Sequence, residues 1–136
     1  RGLGDVYKRQ GYTQLALLEK ANLDAKLKNY DEALYNFNEL IMLTDGARDN
    51  KIFNKISRVS ASRILLSLER YDEALSMIEK YSLGDTNAPI HELAGDILFK
   101  QGKVNLAINQ YEAAEEKYTD QTSKSIISMK IASISN

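Results

Sequence analysis

Three stretches of the chain repeat one pattern of small, large apolar and charged positions: NYDEALYNFNEL from Asn29, RYDEALSMIEKY from Arg70 and GKVNLAINQYEAA from Gly102. In each, a small residue (Ala33, Ala74 or Ala107) is followed four positions later by a large apolar one (Phe37, Ile78 or Tyr111). That is the i, i+4 relation of a single helix face. Leu40, Tyr81 and Ala114 stand seven beyond the alanines and carry the face through another turn. A second amphipathic segment precedes each phrase, at Tyr12–Leu27, Lys51–Leu68 and Ala88–Phe99, so the pattern predicts three helical hairpins. Ala21, Ser62 and Gly95 stand twelve before the alanines, so a small residue on each first helix faces a small one on the second and the two approach closely.

The alanines are 41 and then 33 residues apart, against about 34 for a helix-hairpin repeat. The surplus falls at TDGARDN, Thr44 to Asn50, whose Asp-Gly and Asp-Asn steps read as a longer connection. SLGDTN, Ser82 to Asn87, supplies the next turn, and Pro89 suits the first turn of the helix that follows. Asp31, Glu32, Asp72 and Glu73 fall in first helical turns, where unpaired N–H groups favour negative charge. At the end, Ile127, Ile131 and Ile134 form one apolar stripe, flanked by Ile126 and Met129. It reads as a capping helix over the last hairpin, because a terminal hairpin otherwise leaves an apolar face wet. Exchange of this helix into a neighbouring chain is the less economical reading. The expectation is an all-α chain of seven helices.

Composition removes most chemistry. There is no cysteine and no tryptophan, and His91 is the single histidine, which excludes disulfides, cysteine-based zinc sites and thiol nucleophiles. A net charge of −1 offers no basic field for nucleic acid. No run of about 18 apolar residues and no signal peptide occurs. Arg1 to Gln10 breaks the amphipathic pattern, and GDVYKRQ, Gly4 to Gln10, resembles a translated transposon-end sequencing adapter. Residues 1–10 are therefore set aside as non-native, residues 11–136 taken as the repeat domain (hairpins at about 12–44, 51–81 and 88–118, cap at 121–134), and any anchor is expected upstream.

The YDEAL strings and the small-residue register, over Gly11 to about Tyr118, resemble the tetratricopeptide repeat. That resemblance implies a right-handed superhelix of three hairpins plus a cap, with the first helices lining a concave groove. Arg58 and His91 depart from it by occupying the usual first aromatic slot. More narrowly, ELAGDILFKQGKVNLAINQYEAA (Glu92 to Ala114), SIISMKIASI (Ser125 to Ile134) and SRILLSLERYDEAL (Ser62 to Leu75) resemble the C-terminal end of the YfgM family. This implies the periplasmic part of a bacterial inner-membrane protein associated with the Sec translocon and periplasmic chaperones. The alternative is a repeat adaptor of another bacterial assembly, cytoplasmic or attached to an outer-membrane lipoprotein complex.

For an enzyme, His91 would need Glu92 or Asp96 as partner, but Asp96 lies about 140° around the helix from it; His91 reads as a half-buried packing residue. Glu112, Glu115 and Glu116 beside Lys117 read as a solvated face. No phosphate loop occurs. The expectation is a non-catalytic scaffold without cofactor or metal, binding protein or peptide partners. Counting outward from the small-residue register, its groove residues are Asn22 and Lys26, Arg63 and Leu66, and Asp96, Phe99 and Lys100. Leu18, Pro89 and Leu93 take the slots where a carboxylate clamp needs basic side chains, so clamping of a peptide C-terminus is not expected.

Overall fold

The computed structural model describes the backbone of residues 3–46, 50–82 and 86–135, and the side chains of 13–46, 50–81 and 86–135. The middles of both predicted connections, 47–49 and 83–85, lie outside the described residues, as do 1–2 and 136. Among the described residues there are seven helices and no strand: α1 Leu3–Lys26, α2 Tyr30–Thr44, α3 Lys51–Ser67, α4 Tyr71–Ser82, α5 Ala88–Lys100, α6 Val104–Lys117 and α7 Gln121–Ile134. The all-α repeat architecture is the one the periodicity predicts. One boundary differs. α1 starts at Leu3, well before the amphipathic pattern at Tyr12, since nothing in that stretch blocks extension of an existing helix and each added residue gains a hydrogen bond.

The three hairpin turns share a backbone device that only one of them advertises. Lys28, Glu69 and Gly102 all have positive φ, at 63°, 61° and 81°, and each stands five residues before its hairpin's alanine. Asn29, Arg70 and Lys103 donate their N–H to the carbonyls of Asp24, Leu65 and Leu98 at 2.8, 2.9 and 2.9 Å. Lys28, Glu69 and Gly102 donate to Ala25, Leu66 and Phe99. This paired pattern closes a helix C-terminus through a left-handed residue. Glycine takes that conformation without a Cβ penalty, whereas lysine and glutamate do not. Glu69→Gly is therefore expected to raise stability by up to about 1 kcal/mol, read as a higher midpoint in urea; a loss would show that the Glu69 side chain contributes more than its backbone costs.

Within α3 the chain divides between Ile64 and Leu65 into two compact units. In the first, α1 packs on α2, and Ala21, Ala33, Phe37 and Leu40 are fully buried. The junction of α2 with α3 is polar. Asn54, 2% exposed, donates to Thr44 Oγ1 at 3.1 Å and Asp45 Oδ1 at 2.8 Å. Its own oxygen accepts from Arg58 Nε at 3.1 Å, and the Arg58 guanidinium reaches both oxygens of Asp45 at 2.9 Å. Arg58 thus fills its aromatic slot by ending in an ion pair at the C-terminus of α2, where a cation also suits the helix dipole. Asn54→Leu strands these partners, and a loss of about 1–3 kcal/mol is expected by chemical denaturation.

In the second unit α5 packs on both α4 and α6, and α6 on α7. α5 buries Ala88, Ile90, His91, Leu93, Ala94, Gly95, Ile97 and Leu98, nearly its whole circumference, as a helix covered on two sides must. Leu98, Ala107, Tyr111, Ala114 and Ile127 form one core cluster, with Ile131 and Ile134 packed against it. Ile127 is fully buried, so α7 covers the end of the last hairpin through the stripe that the sequence marks out. Gly95 serves a closer approach than small-against-small implies. A Cβ there would lie 2.5 Å from Tyr111 Cε1, so the tyrosine ring lies directly against the glycine.

Candidate functional site

In the first unit Asn22 and Lys26 are exposed on α1 and Arg63 is exposed on α3. Helical geometry at 100° per residue puts Leu15 on the same stripe as Asn22 and Lys26, and puts Ile52 and Ile56 on the stripe of Arg63. These apolar residues are also exposed, Ile52 at 71%. Counting from the small residues alone misses them. Counting back seven and eleven from Arg63 would have found Ile56 and Ile52.

In the second unit Leu66 is half-buried, and Phe99 and Lys100 are exposed at the end of α5. Asp96 does not point outward as expected. Its Oδ1 accepts from Tyr111 Oη at 2.6 Å and from Lys130 Nζ at 3.0 Å. One turn earlier Glu92 accepts from Lys130 Nζ at 2.6 Å and from Tyr118 Oη at 2.6 Å. Lys130 also lies 5.7 Å from the centre of the Tyr111 ring. The outward row of α5 is thus covered by α7 at Glu92 and Asp96, while Pro89 at its start and Phe99 and Lys100 at its end are exposed.

Burial first, and then the hydrogen bond to Asp96, push the Tyr111 phenol well above its ordinary range. For Lys130 burial acts downward, but the hydrogen bonds and charges of Glu92 and Asp96 outweigh it and the ammonium ends above its ordinary value. Both groups keep their protons more tightly when folded than when unfolded. Their stabilisation is therefore complete below about pH 10 and is lost as pH rises through the raised values. Far-UV circular dichroism should show alkaline unfolding beginning above pH about 10; helicity that stays flat through that range in the wild type and falls in Tyr111→Phe would contradict this.

His91 is 5% exposed, and its Nδ1 meets Gln110 Oε1 at 2.8 Å. Its Nε2 is buried without a partner, while Glu92 and Asp96 are both engaged by Lys130. The histidine packs α5 against α6. Among the described residues no group of histidine and carboxylate side chains is arranged to hold a metal ion. Glu115 is likewise occupied, its carbonyl accepting from Lys124 at 2.9 Å and its carboxylate from Ser128. A cleft of about 560 Å³ lies between the start of α4 and the α5–α6 turn, lined by Arg70, Tyr71, Asp72, Lys100, Gln101 and Lys103 among others. Gln101 Nε2 donates to Asp72 Oδ1 at 2.7 Å across it, tying the third hairpin to the second.

Seven helices among the described residues and three turns that share one left-handed geometry are what a helical repeat requires. A family model described as a tetratricopeptide repeat-like domain matches residues 1–136. The chain belongs to that family. A search of curated proteins gives no match. Tetratricopeptide repeat-like domains bind proteins or peptides and are in general not catalytic. In this tetratricopeptide repeat-like domain the open candidates are therefore Asn22, Lys26, Arg63, Ile52 and Ile56 in the first unit and Leu66, Phe99 and Lys100 in the second. No described helix is long and apolar enough to cross a membrane.

Proposed function

We propose that this domain binds extended or helical polypeptide segments through the outward rows of its first helices, as the periplasmic part of a YfgM-like ancillary protein of the translocon and chaperone network. The observation that supports binding is the pairing of exposed apolar side chains with cations on those rows: Ile52 and Ile56 with Arg63, and Phe99 with Lys100. An apolar anchor beside a flexible cation suits a peptide better than a single ionic group. Support for the narrower placement comes from the Glu92 to Ala114 and Ser125 to Ile134 strings.

A photo-crosslinking residue at Phe99 or Arg63, expressed in bacterial cells within the complete gene product, tests both levels. Crosslinks to translocon subunits or periplasmic chaperones are expected, and Phe99→Ser and Ile56→Ser should reduce them at least tenfold with helicity unchanged. Crosslinks confined to cytoplasmic or outer-membrane assemblies would favour the adaptor alternative. Capture that is indifferent to those substitutions would overturn the groove assignment.

A further inference from the structure

α7 carries on one 14-residue helix a complete set of groups for recognising the α5–α6 hairpin. Ile127 enters the core cluster, with Ile131 and Ile134 beside it. Lys130 pins Glu92 and Asp96, and Lys124 and Ser128 bond to Glu115. The link to α6 adds little to this: Tyr118 belongs to the hairpin side, and Tyr118 and Asp120 are both extended, with ψ of 138° and 142°. Ile127 is the single residue of α7 that is buried, while Ile126 and Met129 stay exposed at 45% and 70%. An element held through so little buried surface opens at low free-energy cost. When it does, it uncovers Leu98, Tyr111 and Ala114 and leaves two carboxylates without their ammonium.

We infer that α7 is an exchangeable element, and that the face it covers accepts the α7 of a second copy of this chain. The occupant follows from complementarity already on display. A face with an apolar socket for Ile127 and two acids placed for Lys130 recognises this helix in trans by the same groups as in cis. A three-residue hinge joining two stable helices makes such exchange a low-cost route to a dimer, because the swapped and unswapped chains bury the same surfaces.

Charge reversal tests this in the full chain. Lys130→Glu places an acid against Glu92 and Asp96, and a second variant, Glu92→Lys with Asp96→Lys, places bases against Lys130. Neither can cover its own hairpin, yet each carries the helix that fits the other. Light scattering after size exclusion should show each variant alone as monomer and the equimolar mixture as a one-to-one heterodimer, with at least a tenfold rise in dimer. A mixture that stays monomeric while both variants retain helical circular dichroism overturns the inference. Should either variant fail to fold, the cysteine-free chain permits a direct reading. Glu115→Cys and Ser128→Cys chains, otherwise wild type and mixed with a short bismaleimide, should yield crosslinked heterodimer well above either chain alone. Equal, background levels in all three samples would refute exchange.

Discussion

Gly95→Ala is expected to lower stability by about 2 kcal/mol, seen as a fall of roughly 5–10 °C in the thermal midpoint. Two effects oppose one another. Alanine is the better helix former by about 1 kcal/mol in a helix interior. Against this, the new methyl would sit 2.5 and 2.6 Å from Tyr111 Cε1 and Cδ1, closer than van der Waals contact permits, and overpacking of that kind costs about 1–3 kcal/mol or more. The ring is poorly placed to yield. It is 3% exposed, its hydroxyl is held by Asp96 at 2.6 Å, and Lys130 lies over its face. The upper end of the penalty therefore applies and sterics win. Combining Gly95→Ala with Tyr111→Leu should recover part of the loss, a coupling that a double-mutant cycle reads directly. Alanine tolerated as well alone as in the double variant would mean that the ring moves freely.

Lys130→Met is expected to cost about 2 kcal/mol and to loosen α7 selectively. Methionine keeps an apolar stem beside Tyr111, so the change isolates the ammonium. Its removal leaves Glu92 and Asp96, on successive turns of α5, without the cation that bridges them. Breaking a fully buried pair costs about 3–5 kcal/mol, and an exposed one is worth at most about 1. Here the side chains of Lys130, Glu92 and Asp96 are 32%, 23% and 32% exposed, so an intermediate value applies. Hydrogen exchange should accelerate first in α7, with α1 and α2 unaffected. Adding Glu92→Gln and Asp96→Asn should restore much of the stability, since neutral amides no longer require the cation. No rescue would show that Lys130 acts by packing alone.

The helices could be read from the sequence because small residues recur at fixed places in every unit. Ala21, Ala33, Ser62 and Ala74 are fully buried, and a slot that admits nothing larger leaves a periodic mark. The polar joints are less legible. Arg58 and His91 are visibly foreign to an aromatic slot, but their partners, Asp45 and Gln110, follow only from how the helices cross. Periodicity alone directs Asp96 outward, because it gives a direction but not what lies there. Its cation comes from a residue 34 positions away. The outward isoleucines Ile52 and Ile56 are hard to recognise for a related reason: periodicity assigns an apolar residue in an amphipathic helix inward by default, and exposure is decided by which neighbours are present.

The left-handed residues at the three hairpin turns make the molecule its own comparison set. Lysine, glutamate and glycine occupy one backbone geometry in one chain, at the same temperature and in the same solvent, each followed by a helix with its alanine in the same register. Any property that tracks side-chain identity at such a turn, from local opening rate to susceptibility to a protease, can be ranked within a single sample. The glycine turn should be the slowest to open of the three, and the difference measures what a Cβ costs a repeat at its bend.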